Sequence, residues 1–143
     1  AQYQEHIFIS DGDKASRKYI GILLQINDIK YFAPLSSFKV KHKKMKESVD
    51  FIKIHNYAVI NLNNMIPVPE GEYSLVDVNG TKDQQYRYLM QAESREINRQ
   101  KNRIMKNADI VYKHKLRNGN STPLAKRTNN FVELEKRYRI YYR

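Results

Sequence analysis

The stretch Tyr19-Ile20-Gly21-Ile22-Leu23-Leu24-Gln25-Ile26-Asn27-Asp28-Ile29-Lys30-Tyr31-Phe32-Ala33-Pro34-Leu35 decides the fold. Residues 19–26 are apolar and β-branched almost without interruption, the pattern of a strand buried on both faces. Asn27-Asp28 is a two-residue hairpin signal, so Lys30–Leu35 should return antiparallel against the first strand. Pro34 has no N–H for a ladder, and this second strand is expected to end there or to lie at a sheet edge.

Strand signals continue on either side. Ile7–Ser10 is a short apolar run closed by Ser10-Asp11-Gly12-Asp13. Downstream, Phe51–His55 alternates, Tyr57–Leu62 is strand-like, Met65–Pro69 is bent by two prolines, and Tyr73–Val78 is a further extended segment before Asn79-Gly80. The period then changes. From Asp83 to Tyr112 the apolar residues Tyr86, Leu89, Met90, Ile97, Ile104, Met105, Ala108, Val111 and Tyr112 fall at helical spacing. This predicts a long amphipathic helix with a basic outer face and room for one break. Lys115–Thr128, with Gly119 and Pro123, reads as a loop or short turn, and Asn130 as the cap of a last helix over Phe131–Tyr142. Strands first and helices afterwards predict an α+β fold with an antiparallel sheet, and 143 residues suit one domain spanning 1–143.

Charge narrows the partners. The chain carries 26 Lys and Arg against 15 Asp and Glu, a formal +11, with a pI near 9.8. Residues 1–90 are nearly balanced, with 12 basic and 10 acidic side chains, whereas residues 91–143 hold 14 and 5. That imbalance favours polyanions. There is no cysteine, which excludes disulfides, thiolate catalysis and cysteine-ligated metals. His6, His42 and His114 show no metal spacing and are read as structural or solvated. No apolar run reaches the roughly 18–20 residues of a membrane span, and Ala1–His6 lacks the features of a signal peptide, so an intracellular protein is expected.

Chemistry concentrates in Tyr31–Lys39, where Ser36, Ser37 and Lys39 follow a strand as it opens into a loop. Two hydroxyls and a cation suit a phosphate and a ribose hydroxyl; they also suit an ordinary turn. Five lysines lie between positions 39 and 46, as an RNA contact or as a solvated loop. Arg95, Arg99, Arg103 and Lys106 recur at helical spacing and should share a face. Tyr112, Tyr138, Tyr141 and Tyr142 interleave with the basic residues, either to stack on bases or to pack between helices.

Five blocks in register carry a resemblance: Tyr19–Leu24, Lys30–Lys39, Ile60–Pro69, Tyr73–Val78 and Asn130–Tyr138. Together they resemble the ToxN/AbiQ family of type III toxin endoribonucleases. The resemblance implies a compact, highly twisted antiparallel sheet related to the Kid/MazF toxin fold, flanked by helices. It also implies metal-independent cleavage of single-stranded, A-rich RNA to 2′,3′-cyclic phosphates, with no cofactor. The implied partners are a tandem-repeat pseudoknot antitoxin RNA, closed into a ring-like protein–RNA assembly, and cellular or phage mRNA as substrate. The implied setting is phage defence or plasmid maintenance in the bacterial cytoplasm. Carried over by position, the essential hydroxyl falls on Ser37, its neighbour on Ser36, the downstream lysine on Lys39 and an upstream basic residue on Arg17. A family histidine falls on His55, as a proton shuttle or a structural residue at a strand end. RNA contacts are expected from Lys18, Lys41, Lys43, Lys44, Lys53, Arg99, Arg103, Lys113, Lys115, Arg117, Lys126 and Arg127. The family's site tyrosine ahead of the Arg17 position has no counterpart among Ser10–Ser16. A non-catalytic RNA-binding module is the alternative; a DNA-binding regulator would need a helix-turn-helix, and none is legible.

Overall fold

The structure is a computed structural model that describes residues 2–10, 20–75 and 78–141. Among the described residues, seven strands precede the long helices: β1 (Gln2–Ser10), β2 (Ile20–Ile26), β3 (Ile29–Ser37), β4 (Phe51–Ile54), β5 (Ala58–Asn61), β6 (Ile66–Pro67) and β7 (Tyr73–Leu75). A short helix α1 (Val40–Lys44) lies between β3 and β4, and α2 (Gln84–Arg99), α3 (Lys101–Asn118), α4 (Pro123–Arg127) and α5 (Phe131–Tyr141) follow the last strand. The sheet is antiparallel at every pairing, in the order β4-β5-β3-β2-β1-β7, with β6 on β3. The expected α+β architecture is the one observed.

The predicted hairpin forms, with Ile26 opposite Ile29 and Asn27 at φ 55 supplying the left-handed turn residue. β3, however, does not end at Pro34: it runs through to Ser37. Counting alternate pairs from the turn, Pro34 stands opposite Gly21 at a non-hydrogen-bonded position. On its other side it falls between the Phe32↔Ile66 pair with β6 and the Leu35↔Ile60 pair with β5. The missing N–H therefore sits where β3 exchanges one neighbour for another, and no ladder bond is lost.

Both sheet faces are covered. Ile22, Leu24, Tyr31, Ala33, Ile52, Ile54 and Ile60 face the helices and meet Met90 and Ile97 of α2, Ile104, Ala108, Val111 and Tyr112 of α3, and Phe131 of α5. Leu23 and Phe32, one position out of phase, build a smaller cluster with Val68 on the other face. Gly21 is fixed by space: a Cβ there would lie 2.3 Å from the Ala33 carbonyl oxygen and 2.7 Å from the Phe32 ring. Among the buried aromatics, Glu135 of α5 accepts hydrogen bonds from Tyr31 Oη (2.5 Å) and Tyr112 Oη (2.6 Å), and Phe131 packs against both rings at 5.6 and 5.3 Å. Burial, then the Glu135 carboxylate, raises both phenol pKa values, Tyr112 to about 12.

The long helix breaks once, at Gln100 (φ −97, ψ 8), which ends α2 and starts α3. α3 then runs past Tyr112 to Asn118, and part of the expected loop is helix α4. The reason is local wiring. Lys115 is buried, its Nζ donating to the Ala125 carbonyl (2.7 Å) and Asn120 Oδ1 (2.9 Å). Thr122 caps α4 by accepting from Ala125 N and pairs with His114 at 2.6 Å. Asn130 caps α5 as predicted, accepting from Glu133 N at 3.1 Å. No described helix is long and apolar enough to cross a membrane.

Gly21→Ala forces the two strands apart at their tightest point, and urea unfolding should show a loss of about 2–3 kcal/mol. Glu93 of α2 is a second sensitive point: burial raises its carboxyl to about 7, above the usual 4.5. The folded state therefore holds a proton that the unfolded chain has released, and stability falls as pH rises from 4.5 to 7. Glu93→Gln should be more stable than wild type by about 2 kcal/mol at pH 8, a gap that narrows in parallel thermal melts as the pH is lowered.

Candidate nucleic-acid interface

The two serines occupy the exposed end of β3, where pairing with β5 sets Ser36 opposite Val59 and Ser37 opposite Ala58. Consecutive strand residues project to opposite faces. Ser37 therefore shares the helix-side face with Leu35, Ala58 and Ile54, beyond the end of the core. Ser36 shares the other face with Val59 and Lys53, which also stands opposite Val59. Two strand spacings put Ser36 and Lys53 about 10 Å apart along the sheet.

That second face is covered by α1. His42, buried, sets its ring near Phe38 (5.6 Å) and Phe51 (5.8 Å), and its Nδ1 accepts from the Lys39 backbone N–H at 2.8 Å. Burial, then Lys41, Lys39 and Lys53, lower its pKa. The histidine is thus a neutral anchor that pins α1 to the sheet, and the positive charges of Lys41, Lys39 and Lys53 all bear on it. The lysine run is accordingly a helical cap rather than a loop. Lys39, Lys41, Lys43 and Lys44 are all exposed on it, with no carboxylate partner among the described residues.

His55 occupies the β4–β5 turn at φ 50, a left-handed conformation in which histidine is enriched over most residues. Its ring stacks on Tyr57 with centroids 5.0 Å apart. Nδ1 lies 2.7 Å from Asn56 Oδ1; donating there leaves Nε2 as a lone-pair acceptor on the exposed side.

Beside this turn a groove of about 490 Å³ opens between the outer edge of β4 and the α2–α3 break. Its floor is the outer edge of the sheet. Lys53 N–H donates to Glu47 Oε2 (3.0 Å), and Gln100 Nε2 donates to the Lys53 carbonyl (3.1 Å), so both edge groups are satisfied by side chains. Arg103 reaches Glu47 Oε2 and Gln100 Oε1 (2.8 and 2.9 Å), and Arg99 grips Glu96 through two nitrogens. The Arg99 hydrogen bonds hold the Glu96 carboxyl down at about 2. Of the groove residues, the sequence brings forward His55 by resemblance, Arg99 and Arg103 by helical spacing and Lys53 as an expected RNA contact, but not Glu47, Glu96 or Gln100. The i,i+3 steps 96–99 and 100–103 are visible as helix spacing; the Glu47–Arg103 pair, 56 positions apart, has no local signal.

The remaining basic candidates divide. Lys113 and Arg117 are exposed along α3 with Lys106, and Lys126 is exposed on α4. Lys115 and Arg127 are engaged within the fold. Lys115 is consumed by the Asn120 and Ala125 contacts. Arg127 is fixed by Asp50 through two 2.8 Å hydrogen bonds, which hold that buried carboxyl below its usual range against the opposing effect of burial. Arg95 and Arg99 belong to α2 and Arg103 and Lys106 to α3, so the break divides the stripe expected on one face. Tyr112 is core and Tyr138 half-buried. Arg17, Lys18 and Tyr142 lie outside the described residues, as does the side chain of Tyr141.

The chain is similar to known proteins along most of its length. The toxin ToxN family of type III toxin–antitoxin systems matches residues 2–139. The chain is 34% identical over 133 residues to endoribonuclease ToxN of Pectobacterium atrosepticum, a match covering 87% of this chain and 75% of that protein. Two solved structures share the fold. The lactococcal anti-phage endoribonuclease AbiQ, of a type III system, gives a TM-score of 0.78 at 21% identity over 99% of each chain. A type III structure concerned with selective toxin inhibition by a non-coding RNA pseudoknot gives 0.72 at 23% identity, over 95% of this chain and 97% of that one. The chain belongs to the ToxN family of type III toxin–antitoxin toxins.

Proposed function

We propose that this chain is an endoribonuclease toxin that cuts single-stranded, A-rich RNA without metal, leaving 2′,3′-cyclic phosphate ends. The observation that carries the reading is the convergence, at one end of the sheet, of the exposed Ser36–Ser37 tip of β3, the Lys39 cap of α1 and the His55 turn. Such a reaction asks little covalent help from a protein, because the 2′-hydroxyl is already tethered beside its phosphate. O2′ bonds to phosphorus, the P–O5′ bond breaks, and the proton lost from the 2′-hydroxyl is balanced by one delivered to O5′. The protein aligns the three atoms and stabilises the extra charge on the phosphoryl oxygens.

Lys39 and Arg17 stabilise that charge, and Ser37 and Ser36 donate hydrogen bonds to phosphate or ribose. His55, with Nε2 open, moves a proton. A serine without an adjacent base is a poor acceptor, which keeps Ser37 in a donor role. Exposed Lys41, Lys43, Lys44, Lys113, Arg117 and Lys126 track the backbone, so binding weakens steeply with salt. In the cell, by the family relation, an antitoxin RNA of pseudoknot repeats occupies the same surface and closes the toxin into a ring-like assembly in the bacterial cytoplasm. Released toxin then acts on cellular or phage mRNA, in phage defence or plasmid maintenance.

Incubation of the purified protein with total RNA in EDTA should yield cyclic-phosphate ends at a recurring short sequence. Ser37→Ala should lower that cleavage at least about a hundredfold and relieve growth inhibition, while RNA affinity stays close to that of the wild type. RNA binding without cleavage by the wild type would instead identify a binding module, and unchanged cleavage by Ser37→Ala would remove that serine from the mechanism.

A further inference from the structure

The cations of this surface are of two kinds. Those of α1, together with Lys106, Lys113, Arg117 and Lys126, carry no carboxylate partner among the described residues. The two arginines of the β4-edge groove are each held by a glutamate, Arg103 by Glu47 and Arg99 by Glu96. A phosphate entering at Arg99 or Arg103 would have to displace a carboxylate already within hydrogen-bond distance, which leaves Lys53 as the groove cation without such a partner among the described residues.

The groove's geometry suits a flat, uncharged, hydrogen-bonding ligand. Arg103 is pinned on two nitrogens, one to Glu47 and one to Gln100, which fixes its guanidinium as a rigid plane. His55 lines the groove, its ring backed by Tyr57 at 5.0 Å, and adds a second planar group there. Unstacked bases of single-stranded RNA are gripped by such aromatic and guanidinium planes. The volume of about 490 Å³ falls within the range of about 300–1,000 Å³ found for small-molecule pockets. One hydrogen-bonding position stays open: Glu47 Oε2 takes the Lys53 N–H and the Arg103 guanidinium, while Oε1 accepts from no group among the described residues. An anionic acceptor selects ligands with N–H donors.

We propose that this groove is a nucleobase subsite, in which one unstacked base of the bound RNA lies against Arg103 and the His55 stack and donates an exocyclic amino group to Glu47 Oε1. The subsite rests on the endoribonuclease reading above. Through it the enzyme favours adenine, cytosine and guanine, which present such an amine, over uracil, whose ring N3–H is flanked by two carbonyl oxygens that the carboxylate repels. Phosphates on either side of that base run over the unpaired lysines, and the row Ser36–Val59–Lys53 joins the groove to the β3 tip.

The test uses fluorescently labelled octamers of adenosine, cytidine and uridine, 2′-O-methylated to block cleavage, with wild type and Glu47→Gln compared by anisotropy at one salt concentration. The amide of E47Q still offers an acceptor to the Lys53 N–H, so the β4 edge stays closed, and a thermal melt checks this. E47Q should weaken the adenosine and cytidine octamers about tenfold relative to the uridine octamer, the loss of one charge-assisted hydrogen bond. It should also redistribute the bases next to the cut in total-RNA mapping. A change of equal size on all three octamers, or no change, overturns the subsite and leaves Glu47 a counter-ion for Arg103. Arg103→Lys is the second arm: it keeps the charge but loses the plane. Weaker binding of all three octamers is expected, and full retention overturns the stacking role. Absence of cyclic-phosphate cleavage by the wild type would sink the enzyme reading instead, and the octamer comparison separates that failure from this one.

Discussion

The carboxylate of Glu135 ties the two halves of the molecule together. It comes from the last helix and accepts hydrogen bonds from one tyrosine of the central strand and one of the longest helix. A buried carboxylate is costly to desolvate, and only short charge-assisted hydrogen bonds offset that cost. With both phenols donating to it and Phe131 closing the ring cluster, β3, α3 and α5 are held in one arrangement. The same strand, β3, then emerges from the core as the Ser36–Ser37 tip. The position of the candidate catalytic hydroxyls is therefore set by an interaction near the opposite end of their own strand.

Electrostatics divides the basic residues in a way that formal charge does not show. Lys115 and Arg127 are part of the fold: one satisfies the α3–α4 turn, the other neutralises the buried Asp50. The charges of Lys41, Lys39 and Lys53 bear on a neutral histidine that anchors α1. Arg99 and Arg103 are balanced by glutamates within the groove. Among the described residues, exposed cations without a carboxylate partner include those of α1 and Lys106, Lys113, Arg117 and Lys126. The basic composition thus resolves into a groove whose arginines are already paired and exposed cations elsewhere that are not.

The β4 edge contributes to both stability and recognition. An open strand edge is a pairing hazard, and here Glu47 and Gln100 close it. The side chains that do so also orient Arg103, so the groove is built from the means of protecting the sheet. Substitutions that loosen the edge and substitutions that alter the groove thus share residues, and stability and binding have to be read together at Glu47 and Gln100.

Elements whose signals are local are legible in the chain alone. The Ile26–Ile29 hairpin follows from apolar runs meeting at Asn27-Asp28, the cap of α5 from Asn130, and the helix-facing residues from Ile97, Ile104, Ala108 and Val111 at helical spacing. Motif resemblance also brings Ser36, Ser37, Lys39 and His55 forward as candidates. Legibility ends where the deciding partner is distant. Pro34 reads as a strand end because its freedom from ladder bonds depends on β5 and β6, which only the sheet brings alongside. Lys115–Thr128 reads as loop because a buried lysine holding Ala125 and Asn120 cannot be told from a solvated one by composition. Arg127 reads as an RNA contact because Asp50 lies 77 positions away. Which charges are already paired is settled in three dimensions, because pairing depends on distances of a few ångströms between residues that the chain keeps far apart.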